Sequence, residues 1–381
     1  MSKTKIILAG GFLGAGKTTL LWEAARRAAA RGLRVGLITN DQAPELVDSA
    51  LLSRSGLKVA EVSGSCFCCN FNGLISAIQE VRREAEADVI IAEPVGSCTD
   101  LSATVAQPLK QLWGHELQLA PLSVLADPAR LSPILDGGAA DLHPDAAYIY
   151  RKQLEESDAI LVTKTDLLQP DELATLMQRV GKAYPLATLL PVSALTGSNV
   201  DEWLDMTLTR SDAGLRLAEV DYDVYAHGEA VLGWLNGTVR LHGKPATDWN
   251  FFTRNFLETL AEQLRSKRHS VGHVKVAVES GGLLATGSIA GNAATPAVRG
   301  RAGIGAEAKL VVNARAEATP EELNKAVREA LNAATHSEEI AANVAAWRYL
   351  QPGRPQPTHR FANVFFRSPA EAGISQQPLH V

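Results

Sequence analysis

The amino-acid sequence predicts an α/β protein with a doubly wound, mostly parallel sheet and a smaller C-terminal α+β domain. Three observations predict it. Over the first two hundred residues, short apolar runs alternate with helix-like stretches. Those runs are continuous rather than alternating, as in parallel strands covered on both faces. A second pattern, with strands clustered between two helices, begins near residue 229. Regular β–α alternation implies crossover connections and hence a parallel sheet, and 381 residues suit two domains.

The strand candidates, in order, are "KIILAG", "RVGLITN", "KVAEV", "DVIIAEP", "LSVLAD", "AILVTK" and "TLLPVSA". The first helix, "TTLLWEAARRAAARG", ends at Gly32, suited to the left-handed C′ position. Ligands of such sheets gather beyond the carboxyl ends of the strands. The unusual residues fall there: Gly10 and Gly11, Asn40 and Asp41, Cys66, Glu93, Asp127, Lys164 and Asp166, and Ser193. These considerations divide the chain into a nucleotide-type domain over 1–212, a linker over 213–228, an α+β domain over 229–350 and an extended tail over 351–381.

In the second domain "EAVLGWLNGTVRLHG" reads as a strand and "DWNFFTRNFLETLAEQLRSK" as an amphipathic helix. "HVKVAVE", "LLATGSI" and "AKLVVNARA" read as strands, and "PEELNKAVREALNAAT" as a second helix. That order is close to a split βαβ, ferredoxin-like domain. The small-residue segment 290–308 reads as a loop, "QPGRPQPTHRF" as extended chain, and "RREAEAD" as a solvated helix end. Trp234 and Trp249 read as core of the second domain.

Composition excludes several classes. A net charge of −5 gives no basis for nucleic-acid binding. No apolar run reaches the ~18 residues of a membrane span. The N-terminus enters a glycine loop at once, unlike a signal peptide. A cytoplasmic setting is expected, where thiols stay reduced and clustered cysteines favour metal or redox chemistry over disulfides.

"GGFLGAGKTT" contains G-x-x-x-x-G-K-T from Gly11 to Thr18, between a strand and a helix, which is a P-loop. The glycines let backbone N–H groups from Gly11, Gly14, Ala15, Gly16 and Lys17 to Thr19 curl around phosphates. Lys17 reaches the β and γ phosphates, and the Thr18 hydroxyl joins a Mg²⁺ shell. Glu93, closing "DVIIAE", is the expected acidic partner for Mg²⁺, against the alternative of an ordinary strand-ending glutamate. Asp41 is the candidate for ordering the attacking water, against a plain turn residue. "TKTD" at Thr163, Lys164 and Asp166 and "VSAL" at Ser193 and Ala194 point to guanine. A carboxylate accepts from its N1–H and N2 amine, a lysine stem covers the base, and a backbone N–H near Ala194 donates to O6.

"SGSCFCCN" places Cys66, Cys68 and Cys69 within four positions. Three such thiols can share one tetrahedral ion at about 2.3 Å, and soft sulfur favours Zn²⁺ or Cu(I), with Co²⁺ acceptable. Adjacent Cys68 and Cys69 need a turn between them, for which Gly64 and Asn70 are available. Free or redox-active thiols are the alternative. Cys98, just past "EPVG", is a fourth ligand, a relay between sites, or an unrelated buried thiol.

"GGFLGAGKTT", "SGSCFCCN", "EPVG" and "TKTD" together resemble the CobW-like metallochaperone GTPases, relatives of UreG and HypB, over roughly residues 1–212. The resemblance implies that the C-x-C-C thiolates bind a transition metal under control of GTP, and that Glu93 attends Mg²⁺. It departs at Thr163, where the family usually has Asn. It departs also in the histidines, scattered here with His269 and His273 as the nearest to a pair. The expected activity is therefore GTP hydrolysis coupled to delivery of zinc, or cobalt, to a client metalloprotein. No arginine finger is identifiable, so turnover should be slow and raised by a client or a nucleotide-dependent homodimer. Two rivals stay open: a thiol-based metal or redox sensor with little turnover, and a small-molecule phosphotransferase.

Overall fold

The structure is a computed structural model that describes residues 3–41, 57–63, 65–291 and 295–366, with the side chains of Asp41 and Ser63 outside that description. The first domain is built on β1 (Thr4–Gly11), β2 (Val35–Asp41), β3 (Lys58–Ser63) and β4 (Val89–Glu93). These continue into β5 (Leu117–Leu119), β6 (Ser123–Ala126), β7 (Ala159–Val162) and β8 (Thr188–Pro191). All pair in parallel, in the order β3-β2-β4-β1-β6-β7-β8, with the short β5 beside β1. Seven of these eight strands are those expected. The missed β5 is a three-residue run with one exposed position, too short to register as a pattern.

Helices cover both faces: α1 (Lys17–Ala30), α2 (Phe71–Ala85), α3 (Gln107–Trp113), α4 (Pro128–Leu135), α5 (Pro144–Glu156), α6 (Pro170–Ala183) and α7 (Val200–Thr209). α3 continues directly from a π-turn at Ser102–Ala106. Buried Leu20, Leu21, Ala24, Ala25 and Ala28 of α1 meet Ile7, Ala9 and Leu37 on one face. Leu74, Ile78 and Val81 of α2 meet Ile6, Ile38 and Ile90 on the other. Gly32 takes φ +84, as a C′ glycine should. Because β1 lies between β4 and β6, chain connections diverge there, and the loop after β1 opens at the switch point of the sheet.

The segment expected as a linker holds a helix, α8 (Tyr222–Ala230), capped by Asp221, which accepts from the N–H groups of Asp223 and Val224. β9 (Gly233–His242) accordingly begins later than the sequence pattern suggested. The second domain continues with α9 (Trp249–Ser266), β10 (Val271–Ser280), β11 (Leu283–Ile289), β12 (Ala297–Arg301), β13 (Glu307–Ala316), α10 (Pro320–Ser337) and β14 (Ala341–Leu350). Its sheet is antiparallel, in the order β12-β11-β10-β13-β9-β14. β9 and β10 both run against β13, so they are parallel to one another and α9 joins them across the gap. That is the split βαβ unit; the β11–β12 hairpin extends it beyond β10. β12 corrects the expected 290–308 loop: Leu284–Arg301 to Ser288–Ala297 pairing satisfies its backbone despite exposed side chains.

Two further expectations are corrected. Trp249 packs in the second domain's core, but Trp234 on β9 packs into the first domain's, with the Arg315 guanidinium 4.1 Å from its ring centroid. Arg82 is not merely solvated: its guanidinium reaches Thr4 Oγ1 at 3.1 Å and pairs with Glu116. The tail, as far as it is described, has no regular secondary structure but is held down. Phe361 N–H donates to Ala103 O at 3.0 Å and Phe365 N–H to Gln107 Oε1 at 2.7 Å.

Candidate functional site

The loop from Gly11 to Gly16 links β1 to α1 through three positive-φ glycines: Gly11 at +130, Gly14 at +81 and Gly16 at +89. Only glycine takes such values without strain. Gly16 is the N-cap of α1, and a Cβ there would meet nothing within 4 Å, so the loop presents an open backbone cradle at a helix N-terminus. Lys17 Nζ lies across this loop, donating to Gly11 O at 2.8 Å. The Thr18 hydroxyl donates to Glu93, with oxygen separations of 3.0 and 3.3 Å. Lys17, Thr18 and Glu93 are all buried. Asp41 closes β2 opposite Ser63, but its side chain lies outside the described residues.

A cavity of about 370 Å³ lies over the loop, lined by Gly14, Gly16, Lys17, Thr18, Thr19, Asn40, Glu93 and Lys164. Its other wall is the second domain, including His273, Lys275, Arg299, Asn313 and Arg315. Lys275 Nζ donates to Thr18 Oγ1 at 3.1 Å. Arg130 ties the two domains together, donating to Leu13 O at 2.6 Å and Val271 O at 2.7 Å. A Cβ on Gly14 would sit 2.9 Å from Ala290 Cβ, so glycine also permits the close approach of the second domain.

The remaining nucleotide candidates sit at the ends of β7 and β8. Thr163 is buried and its hydroxyl donates to Ala15 O at 2.9 Å, bracing the phosphate loop from behind. Lys164 adopts φ +53 and pairs with Asp127 at 2.5 Å. Ser193 Oγ donates to the exposed Asp166 carboxylate at 2.6 Å and accepts from Thr196 N–H, which positions that carboxylate beside Ala194. Gly11, Ala15, Thr163, Asp166, Ser193 and Ala194 thus lie around the cavity rather than in its wall.

The cysteine turn follows β3. Cys69 N–H and Asn70 N–H both donate to Cys66 O, and Asn70 caps α2 by accepting from Gly73 N–H at 3.0 Å. The turn expected between Cys68 and Cys69 is therefore present, with Asn70 in it; Gly64 lies outside the described residues. The Sγ atoms of Cys66, Cys68 and Cys69 are all within 4.8 Å of one another, and no cysteine is in a disulfide. Sulfurs sharing one tetrahedral ion at about 2.3 Å stand about 3.7 Å apart. The Cys68–Cys69 pair is at 3.7 Å, and Cys66–Cys68, at 2.8 Å, must open slightly. Cys98 is fully buried and lies outside this trio. The neighbouring thiols, Cys68 first, hold Cys66 well below the usual thiol range. The same interaction with Cys66, together with burial, pushes Cys68 and Cys98 up, and Cys69 up to about 11. The cluster therefore favours one resident thiolate, the form that coordinates metal.

Two features here go beyond the sequence reading. The first is the role of Asn40, which the sequence placed at a strand end beside Asp41 without assigning it a contact. Asn40 lines the cavity and holds the cysteine turn: Nδ2 donates to Val62 O and Ser65 O, each at 2.8 Å, and Oδ1 accepts from Phe67 N–H at 2.9 Å. The second is the tail, which straps the cluster. Gln356 N–H donates to Cys69 Sγ at 3.1 Å, Thr358 N–H to Cys68 O at 2.8 Å and Thr358 Oγ1 to Cys69 O at 3.1 Å. His359 stands edge-on to Phe71 with ring centroids 5.0 Å apart, and Arg360 pairs with the buried Asp100 at 2.7 Å. The signal for Asn40 was its strand-end position; for the strap there was none. The two most closely spaced histidines stay apart, in keeping with the scattered pattern: His273 lines the cavity, and His269 faces Glu317 O at 3.1 Å.

With this geometry in view, comparison with known proteins is informative. The family model described as "CobW/HypB/UreG, nucleotide-binding domain" matches residues 5–191. The zinc-regulated GTPase metalloprotein activator 1 of Schizosaccharomyces pombe is 26% identical over 208 residues, 51% of this chain and 47% of its own length. The zinc chaperone CobW of Pseudomonas aeruginosa is 23% identical over 239 residues, 53% of this chain and 61% of its own. The chain thus spans about half to three fifths of these relatives. The nickel complex of HypB from Helicobacter pylori aligns over 54% of this chain and 86% of its own, with 17% identity and a TM-score of 0.39.

Proposed function

Residues 5–191 belong to the CobW/HypB/UreG nucleotide-binding family, and from that premise we propose that the chain is a GTP-hydrolysing zinc chaperone. It takes Zn²⁺ as cargo on Cys66, Cys68 and Cys69 and releases it to a client metalloprotein under nucleotide control. The observation that carries this reading is Asn40, which lines the phosphate cavity and fixes the cysteine turn with three hydrogen bonds.

Each residue has a role that follows from its place. The glycine cradle and Lys17 hold the triphosphate. Thr18 and Glu93 offer the hard oxygen donors that Mg²⁺ prefers, and the ion supplies charge neutralisation between phosphates. Asp41 is the candidate for orienting water. Thr163 braces the loop, while Lys164, Asp166, Ser193 and Ala194 select guanine. Lys275 brings a cation from the second domain beside Thr18, filling the place left by a missing arginine finger. The strap over Cys68 and Cys69 shields the cargo, and a client displaces it. Four free thiols suit a reducing, cytoplasmic setting.

The test is zinc affinity by competition with a chromophoric chelator, on reduced protein with Mg·GDP or a non-hydrolysable GTP analogue. Binding that needs all three thiols and changes with nucleotide is expected, together with steady-state GTP hydrolysis. Thiol-dependent binding indifferent to nucleotide, or absence of hydrolysis, would replace the chaperone with a static site or a sensor.

A further inference from the structure

Outside the thiol cluster, one more group of metal-ligating side chains comes together among the described residues: His143, Asp145 and His227. One ligand atom from each lies within 4.8 Å of the others. His143 is the N-cap of α5, Asp145 stands in its first turn, and His227 lies on α8, more than eighty residues away. His227 Nδ1 bonds to Asp145 Oδ2, and His143 Nδ1 stands 3.8 Å from the same oxygen. The two imidazoles meet edge to face with centroids 5.1 Å apart.

The arrangement is set by backbone packing rather than by chance contact of surface side chains. Gly228, next to His227, lies directly on α5: a Cβ there would be 2.3 Å from Asp145 O and 2.7 Å from Asp145 C. Glycine is required for that approach, and the approach brings His227 over Asp145. On the other side, the Glu317 carboxylate of the second domain accepts from His143 N–H and fixes the cap. His143 Nδ1 accepts the cap bond from Asp145 N–H at 3.2 Å, at the long end of the usual range, and an ion taken on that nitrogen would replace it.

We infer that His143, Asp145 and His227 form a second transition-metal site, of the Zn²⁺ class, at the junction of α5, α8 and the second domain. Two imidazoles and a carboxylate are a donor set that suits zinc. Nitrogen and oxygen ligands at about 2.0–2.1 Å on a tetrahedral ion stand about 3.3 Å apart, so the 3.8 Å separation closes with a small rotation. The three residues are half-buried or exposed, so the ion exchanges with solvent and keeps a fourth position for water. The site is coupled to the thiols through α8. Two residues after His227, Glu229 accepts from Ser97 Oγ at 2.6 Å, and Tyr225 OH accepts from Thr99 N–H at 3.3 Å, on either side of Cys98. An ion on His227 therefore fixes the helix whose inner face packs on the cysteine cluster.

The experiment uses the full chain with Cys66, Cys68 and Cys69 changed to serine, which makes it independent of the cargo site and hence of the function proposed above. Zn²⁺ is titrated calorimetrically into this protein and into versions that also carry His227→Ala or Asp145→Asn, with circular dichroism as the folding control. The expected result is about one ion bound by the triple-serine protein, in which Cys98 is the one thiol left, weakened at least about tenfold by either change. Co²⁺ in the same protein should show a tetrahedral ligand-field spectrum without thiolate charge-transfer bands. No binding by the folded triple-serine protein, or binding that both substitutions leave intact, would overturn the assignment and leave the trio as a helix-capping hydrogen-bond group.

Discussion

Asn40→Ala tests whether the phosphate cavity and the cysteine turn are one device. The side chain is 7% exposed and makes three hydrogen bonds to Val62 O, Ser65 O and Phe67 N–H. Phe67 is fully buried, so its amide loses its partner where water cannot easily replace it. A buried orphan amide costs about 1–3 kcal/mol, and each carbonyl losing a donor adds about 0.5–1.5. The total is roughly 4 kcal/mol, readable as a lower urea midpoint at unchanged slope. The decisive measurement is the ratio of zinc dissociation constants with GDP and with the GTP analogue. Coupling free energies of about 1–3 kcal/mol correspond to ratios of about 5–150. Asn40→Ala should bring that ratio close to one. Asn70→Ala is the control: it removes the α2 cap, costing about 1 kcal/mol, beside the same cysteines but away from the cavity. It should shift both affinities together and keep the ratio. A full ratio in Asn40→Ala, or equal loss in both variants, refutes the bridge.

Three further outcomes follow from other contacts. Lys275→Ala should lower kcat for GTP hydrolysis by on the order of tenfold to a hundredfold, because it removes a cation 3.1 Å from Thr18; steady-state phosphate release measures it. Arg360→Ala strips the fully buried Asp100 of its ion-pair partner, leaving only the Tyr222 hydroxyl. With Arg360 partly exposed, the cost should be about 2 kcal/mol, seen as a lower Tm and faster reaction of Cys69 with a thiol reagent. Glu156 has its carboxyl pushed up to about 8, first by burial and against hydrogen bonds from Ser102 N–H and Thr99. An unfolded glutamate ionises near 4.3, so between those values the folded state holds the extra proton, and stability falls as pH rises. Glu156→Gln should remove that slope, gaining up to roughly 3.5–4 kcal/mol on wild type between pH 5 and pH 8 in urea titrations.

What was legible in the sequence shares one property: its determinants are local. The phosphate loop needs positive φ at Gly14 and Gly16 within one turn, and the spacing writes that down. The cysteine turn likewise closes within 66–70, where Asn70 both ends the turn and caps α2. Buried parallel strands announce themselves as unbroken apolar runs, which is why seven of the eight were found and the three-residue β5 was not. The rest depends on strand order, which no local pattern carries. Lys275 reaches Thr18 across 257 residues only because β10 sits beside β13 and Arg130 pins its start to the phosphate loop. His227 meets Asp145 only because a helix formed where a linker was expected and Gly228 lets it lie on α5. The strap over Cys69 uses mostly backbone donors, Gln356 N–H and Thr358 N–H, and a backbone donor has no residue type to recognise. The parts proposed to hold phosphate and metal are therefore written in motifs. The parts that would regulate them, Asn40, Lys275, α8 and the strap, are written in packing, where substitution rather than spacing reveals them.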